Sequence, residues 1–173
     1  IVLGSRELNT TINLGNSSGI NALKTAYEYV ELGIVKYALV VVTEEITKSV
    51  VESDLTSSSE YTEETIGILI GNNEEGYEIE SSYSRYTERR NFEDSFSKLV
   101  EENPTYQIYG FLENHESKNK CNVVMSKEAN RLSCNSLNML YDLLEQNIQK
   151  FIIVEESKSS IYSYLKLKRS GHE

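Results

Sequence analysis

The hydrophobic positions in the first third of the chain predict one helix between two strands. From residue 20 onward the apolar residues are three or four positions apart; they are Ile20, Leu23, Ala26, Tyr27 and Val30. Ser17 or Ser18 is suited to cap the start of this helix, and Gly33 is suited to end it. Asn9 to Leu14 alternates polar and apolar residues, which predicts a strand before the helix. Tyr37 to Val42 is a continuous apolar run, which predicts a strand that is buried on both faces.

Further along the chain, the pattern predicts a long loop, a second helix and five more strands. The stretch from Thr43 to Thr65 is rich in serine, threonine and glutamate, which indicates an exposed loop. Phe92 to Val100 has the spacing of a short helix. The remaining predicted strands are Ile1 to Leu3, Ile66 to Ile70, Tyr77 to Tyr86, Tyr106 to Leu112 and Ile161 to Leu167.

The final third of the chain repeats the pattern of the first. Gly33 to Val40 aligns with Asn147 to Val154, an offset of 147 − 33 = 114 residues. The same offset places Leu23 on Leu137, Ala26 on Leu140, Tyr27 on Tyr141, Val30 on Leu144 and Glu31 on Glu145. We therefore predict a layered α/β fold with two pseudo-repeated halves, about residues 1–85 and 105–169, in which mixed sheets enclose a buried helix layer. The alternative is that two unrelated helix-strand units look alike at this level.

Composition indicates one soluble domain. A chain of 173 residues with 39% hydrophobic and 25% charged residues can close a single core. No apolar stretch has the length of a membrane span, and the first residues do not resemble a signal peptide, so we expect a cytoplasmic protein. Cys121 and Cys134 lack the spacing of a metal site, and we expect reduced thiols, no metal and no cofactor.

The net charge of −10 makes nucleic acid and anionic lipid poor candidates as partners. The basic residues are scattered, apart from Arg85, Arg89 and Arg90 and the run Lys166 to Arg169. Arg85, Arg89 and Arg90 are either a docking patch or solvated charges at the end of a strand.

The turn between the second strand and the first helix has the form of a mount for a catalytic nucleophile. Its residues are Gly15, Asn16, Ser17, Ser18 and Gly19. A side chain at the N-terminus of a buried helix lies near free backbone N–H groups and a partial positive charge, which lower the pKa of a cysteine and hold an oxyanion. The central position here is Asn16, whose amide is not nucleophilic but can hydrogen-bond a carbonyl.

From about Leu8 to Ile70 the chain resembles the nucleophile region of β-ketoacyl synthases, which belong to the thiolase-fold condensing family. The family pattern is a strand, a small residue, Cys, a small residue, Ser and Gly, followed by a helix, a Gly and a strand that leads to an acidic residue. Ser18 and Gly19 match this pattern, as does Glu44 or Glu45, whereas Asn16 replaces the cysteine. The resemblance implies a thiolase-like fold, and its two duplicated halves agree with the repeat.

The resemblance also implies two catalytic histidines, or a histidine and an asparagine, in His-Gly-Thr and glycine-rich contexts. His115 is not followed by Gly-Thr, and His172 lies in the last three residues, so we expect no catalytic residue in this chain. The chain is also much shorter than a complete condensing enzyme. We therefore expect a single thiolase-like domain over residues 1–173 that lacks segments of the family.

Loss of the nucleophile and of both histidines is typical of chain-length factors, the inactive homologues that pair with an active ketosynthase in polyketide or fatty-acid-type biosynthesis. By this resemblance the strand Thr10, Thr11, Ile12, Asn13 and Leu14 pairs across a two-fold axis in a heterodimer, and the chain shapes the acyl tunnel of its partner. Acyl carrier protein, which is acidic, would dock on the partner. The alternatives are a malonyl-carrier-protein decarboxylase with Asn16 at the nucleophile position, a binding or scaffold protein on the same fold, or an unrelated α/β protein.

Overall fold

The computed structural model describes residues 8–13, 17–44, 63–72, 76–86, 89–111, 134–156 and 161–170. Within these ranges the chain forms three helices and six strands. In chain order they are α1 (Ser18–Glu31), β1 (Tyr37–Glu44), β2 (Glu64–Gly71), β3 (Gly76–Tyr86), α2 (Arg89–Glu102), β4 (Gln107–Phe111), α3 (Asn135–Glu145), β5 (Lys150–Glu156) and β6 (Ile161–Ser170). Apart from the strands expected at Ile1 to Leu3 and Asn9 to Leu14, each predicted helix and strand has its counterpart here.

The strands form two sheets with a helix layer between them. β1 and β2 form an antiparallel hairpin, and the second sheet has the order β3-β6-β5-β4, in which only the β4–β5 pair is parallel. The main core joins α1 and α3 to both sheets through residues such as Leu23, Leu137, Val40 and Phe151. A second core packs Phe92 and Phe96 of α2, among others, on the outer face of the four-stranded sheet.

The two buried helices confirm the internal repeat. Leu23 and Leu137 are 1% and 0% exposed, so the alignment at an offset of 114 pairs residues with the same environment. Two residues after its last helical residue, each helix is followed by a residue with positive φ, at 68° in Gly33 and 55° in Asn147. The next amide then reaches back five residues, Ile34 N to Tyr29 O at 2.9 Å and Ile148 N to Leu143 O at 3.3 Å. Both ends are therefore Schellman motifs.

These two helix ends allow a matched test of backbone strain. A Cβ at residue 33 would meet no atom within 4 Å, so Gly33→Ala changes only the cost of positive φ. We expect Gly33→Ala to lower the free energy of unfolding by about 1 kcal/mol, and Asn147→Gly to leave it unchanged or raise it by up to about 1 kcal/mol. Urea unfolding of the two variants measures this difference. Equal losses in both variants would contradict it.

The sequence predicts that the strand from Tyr37 to Val42, which is β1, is buried on both faces. This prediction is wrong. Val40 and Val42 face the helices, but Tyr37, Leu39 and Val41 are about half exposed, at 49%, 53% and 54%. Leu69 of β2 lies opposite Leu39 and is 67% exposed. We call Tyr37, Leu39, Val41 and Leu69 the outer hairpin face. None of the described helices covers it, whereas α2 covers the outer face of the other sheet.

The predicted alignment of β1 with β5 is wrong by one residue. The sequence aligns Tyr37 with Phe151, but Phe151 faces the helices, and in β1 the residue that faces them is Ala38. Ala38 is five positions after Gly33, whereas Phe151 is four positions after Asn147. Because side chains alternate along a strand, this single residue exchanges the inner and outer faces.

Two local expectations before α1 are corrected. Residues 8–13 belong to neither helix nor strand, and none of the described strands pairs with them, so the strand expected over Asn9 to Leu14 does not form in its described part, residues 9–13. Ser17 occupies the N-cap position, but its side chain makes no capping hydrogen bond. Ile1 to Leu3, residues 45–62 of the predicted loop, Cys121, His115 and His172 lie outside the described residues.

Candidate functional site

The predicted nucleophile turn leads into the start of α1. Ser18 and Gly19 are the first two residues of the helix, whereas Leu14, Gly15 and Asn16 lie outside the described residues. Ser17 precedes the helix and is fully buried, and its hydroxyl has no hydrogen-bond partner among the described residues. The Ser17 side chain is therefore enclosed by the protein rather than exposed to solvent.

Asn21 links the start of α1 to the four-stranded sheet. Its Nδ2 donates to the carbonyl oxygen of Ser17 at 2.8 Å and lies 3.3 Å from Oγ of Ser163 on β6. The hydroxyl of Ser163 is in turn 2.9 Å from that of Ser84 on β3. Polar contacts therefore link the N-terminal turn of α1 to β6 and β3.

Glu155 is a buried carboxyl group at the end of β5. It is 2% exposed, and Ser136 in the first turn of α3 donates a hydrogen bond of 2.6 Å to its Oε2. Burial raises the pKa of Glu155 to about 8, although the hydrogen bond from Ser136 opposes this by stabilising the charged form. At neutral pH the Glu155 side chain is therefore mainly a neutral acid.

These side chains form one group, because the β5–β6 register places Glu155 directly opposite Ser163. We call the group the polar cluster; its members are Ser17, Asn21, Ser84, Ser136, Glu155 and Ser163. Sequence reasoning missed every member except Ser17. One signal in the sequence could have indicated the cluster: Glu155 is an acidic residue two positions after Ile153, and therefore on the same, core-facing side of the strand.

The start of α3 contacts the hairpin. Cys134 occupies the N-cap position and is fully buried, with its Sγ 3.8 Å from the carbonyl oxygens of Val42 and Glu64. Asn138 donates a hydrogen bond to the carboxylate of Glu64. Among the described residues, no group of three or more His, Cys, Asp or Glu side chains could hold a metal ion.

A groove of about 2200 Å³ runs along the C-terminal halves of α1 and α3. Its walls include Val30, Ile68, Tyr77 and Leu144, and the buried hydroxyl of Tyr77 makes no hydrogen bond within the described part of the chain. At its edge Lys168 pairs with Glu78 at 3.0 Å and with Glu80 at 3.3 Å. The lysines of the run Lys166 to Arg169 are therefore largely neutralised, since Lys166 also pairs with Glu80, at 3.5 Å.

The arginines expected as a basic patch are divided between two elements. Arg85 is exposed near the end of β3, and Arg89 and Arg90 are the first residues of α2. In the part of the chain that the structure describes, no helix combines the length and apolar character needed to cross a bilayer.

No protein-family model and no curated protein matches the chain. Solved structures do match. A structure described as a type II PKS acyl-carrier protein in complex with its ketosynthase bound to the hexaketide aligns with 94% of this chain and 60% of its own, with a TM-score of 0.77 and 12% identity. A variant of OleA from Xanthomonas campestris, bound with cerulenin, aligns with 89% of this chain and 61% of its own, with a TM-score of 0.62 and 12% identity.

3-Oxoacyl-[acyl-carrier-protein] synthase III from Aquifex aeolicus VF5 aligns with 91% of this chain and 66% of its own, with a TM-score of 0.66 and 12% identity. This chain thus spans about three-fifths to two-thirds of the length of these structures. Identities this low establish architecture alone. The chain has the thiolase-like α/β fold of ketosynthases, as the sequence predicts.

Proposed function

We propose that this chain is a non-catalytic, ketosynthase-like subunit of the chain-length-factor type, which pairs with an active β-ketoacyl synthase in polyketide or fatty-acid-type biosynthesis and shapes its acyl tunnel. The observation that carries the proposal is Asn16, which in the sequence takes the place of the family's nucleophile two residues before α1, in a chain with the fold of ketosynthases. An amide cannot form the acyl-thioester that condensation requires. The neighbouring hydroxyl of Ser17 is buried and offers no substitute.

The segment before the turn supports pairing with a second subunit. Residues Thr10, Thr11 and Asn13 are exposed, Ile12 is half-buried, and no described strand pairs with this segment. Backbone N–H and C=O groups that no described strand pairs with are available to a strand from another chain. In the proposed heterodimer, Thr10 to Leu14 pairs with the corresponding segment of the active ketosynthase.

The outer hairpin face supports a role inside an assembly. Leu39, Val41 and Leu69 are neighbours across the β1–β2 ladder and are all more than half exposed. Contiguous exposed apolar side chains of this kind mark surfaces that another polypeptide segment covers.

Carrier-protein docking is assigned to the partner. One neighbouring structure contains an acyl carrier protein bound to its ketosynthase. Our chain carries a net charge of −10 and its lysines at the groove edge are paired with Glu78 and Glu80, so its charge opposes an acidic carrier protein. The active subunit then supplies both the nucleophile and the docking surface.

Co-expression with a cysteine-containing ketosynthase encoded nearby tests the proposal. We expect a one-to-one heterodimer by size-exclusion chromatography with light scattering. Replacing both Thr10 and Thr11 with proline removes backbone donors on both edges of the segment, because successive N–H groups point to opposite sides. We expect this variant to lose the heterodimer and the matched double valine variant to keep it.

Two outcomes would contradict the proposal. A monodisperse homodimer that forms no complex with the co-expressed ketosynthase would favour the scaffold alternative. Release of carbon dioxide from malonyl-carrier protein, with loss of that activity in Asn16→Ala, would favour the decarboxylase alternative.

A further inference from the structure

The internal repeat shows what surrounds a strand such as β1 in the second half of the chain. β5 pairs with β6, the strand that follows it, in the same antiparallel way as β1 pairs with β2. On its other edge β5 pairs in parallel with β4. No described strand pairs with the corresponding edge of β1. Within the described residues, β1 therefore lacks the neighbour that completes the equivalent strand.

The outer sides of the two strands differ in the same way. When β1 and β5 are aligned on their helix-facing residues, Leu39 corresponds to Ile152 and Val41 to Val154. Ile152 and Val154 are fully buried in the core that α2 forms with the sheet, whereas Leu39 and Val41 are 53% and 54% exposed. The first half thus has apolar residues at positions that a helix covers in the second half.

The open edge of β1 carries none of the features that protect sheet edges. β1 has eight residues, contains neither proline nor lysine, and pairs with β2 without a register shift; its one charged residue is Glu44, at its end. β4, which forms an edge of the other sheet, has five residues. Edge strands are usually short, charged or bulged, because an open apolar edge pairs with strands of other chains. The sequence of β1 is therefore that of a central strand.

We propose that the open edge of β1 and the outer hairpin face together bind a helix-strand unit from another polypeptide, with its strand parallel to β1 and its helix across the outer hairpin face. α2 and β4 form this arrangement on the four-stranded sheet. Because they already pack there, the described part of the chain has no second unit of this kind for β1. The occupant is an amphipathic helix with an aromatic or aliphatic face, followed by a short apolar strand.

The charges along the hairpin fit a unit of the α2–β4 type. α2 begins with two arginines, ends with two glutamates and runs antiparallel to β5, since Phe92 contacts Tyr162 near the end of β5. The end of β1 is acidic, with Glu44 opposite Glu64, and Lys36 precedes its first residue. A helix in the same orientation as α2 places its basic start near the two glutamates and its acidic end near Lys36. This charge complementarity favours such a unit over a helix of reversed polarity.

The probe is a synthetic peptide with the sequence of residues 89–111, which contains both α2 and β4. In the chain alone, alternate amides of β1, those that point away from β2, should exchange hydrogen faster than the amides of β5, which is paired on both edges. We expect the peptide to bind one-to-one in calorimetric titration and to slow exchange at these β1 amides. A peptide with proline at Ile108 and Tyr109 loses donors on both strand edges and should not bind.

Lysine substitutions on the outer hairpin face test whether the helix of the probe lies there. Leu39→Lys and Leu69→Lys should each weaken binding of the peptide by about tenfold, because each replaces apolar contact surface with a charge. Leu32→Lys, at the end of α1 and outside this face, is the matched control and should bind as the unmodified chain does. All three leucines are more than half exposed, so the variants should keep the unfolding transition of the unmodified chain, which circular dichroism checks.

Three results would overturn the proposal. If β1 amides of the monomeric chain exchange as slowly as those of β5, another segment of the same chain already pairs with β1. If that protection appears only when the chain dimerises, a second copy occupies the edge. If the peptide does not bind, or slows exchange only in β5, the hairpin does not accept a helix-strand unit. None of these measurements involves a ketosynthase, so failure here and failure of the proposed function can be told apart.

Discussion

Raising the pH from 5 to 9 is expected to lower the free energy of unfolding by up to about 4 kcal/mol through Glu155. Burial raises the pKa of this group from 4.5 to about 8 in the folded protein. Between these two values the folded state keeps a proton that the unfolded chain has released. Stability therefore falls as the pH rises through this window and levels off above about pH 8.

Urea unfolding at pH 5, 6.5, 8 and 9 measures this loss. We expect Glu155→Gln to flatten the profile, because the amide does not ionise. Glu155→Val should flatten it and also raise stability, since Val42, the third helix-facing residue of β1 as Glu155 is of β5, is an apolar side chain at the equivalent place. Glu101→Gln, at an exposed position of α2, should retain the profile of the unmodified protein. Stability that is constant or rises from pH 5 to pH 9 would show that Glu155 is charged in the folded state.

Gly110→Ala is expected to lower the free energy of unfolding by about 2–3 kcal/mol. Gly110 lies in β4, and a Cβ there would be 2.8 Å from the backbone carbonyl oxygen of Val154 in β5. The parallel register pairs Gly110 with Val154, so the carbonyl cannot move without disturbing the β4–β5 ladder. α2 packs on this sheet and would shift with it.

Gly67→Ala is the matched control for this prediction. Gly67 is also a strand glycine, but a Cβ there would meet no atom within 4 Å. We expect it to be neutral or stabilising by up to about 1 kcal/mol, because alanine reduces the conformational freedom of the unfolded chain. Chemical unfolding of both variants measures the difference. A Gly110→Ala variant as stable as Gly67→Ala would mean that β4 can separate from β5 at little cost.

The helices and their ends could be predicted from the sequence because they depend on local patterns. The apolar spacing of Leu23, Ala26 and Val30 recurs in α3, and both helices end in a residue suited to positive φ. Such features are fixed by residues within one or two turns of each other. Their agreement between halves made the duplication visible.

The strands were harder to predict because their faces depend on contacts that are distant in sequence. The run from Tyr37 to Val42 has the composition of a fully buried strand, yet no described helix covers the outer side of Leu39 and Val41. One extra residue after Gly33 was enough to exchange the faces relative to β5. Alignment by composition cannot detect such a shift when both faces carry apolar residues.

The polar cluster had no local signature. Ser84, Glu155 and Ser163 come together only through the pairing of β3, β6 and β5. The turn at Asn16 stays a prediction, because Leu14, Gly15 and Asn16 lie outside the described residues. The polar cluster is assembled from both halves of the chain and could be identified only from the fold.

The position of β6 has a consequence for how the protein folds during synthesis. β6 lies between β3 and β5, so β3 has no partner in its sheet until residues 161–170 have been made. Meanwhile Tyr77 and Ile79, which pack on the main core in the finished protein, belong to a strand whose edge is open. Late closure of a long loop slows folding and leaves such an edge available to other chains. Nascent chains stalled before β6 should therefore be the form of this protein that most needs a chaperone.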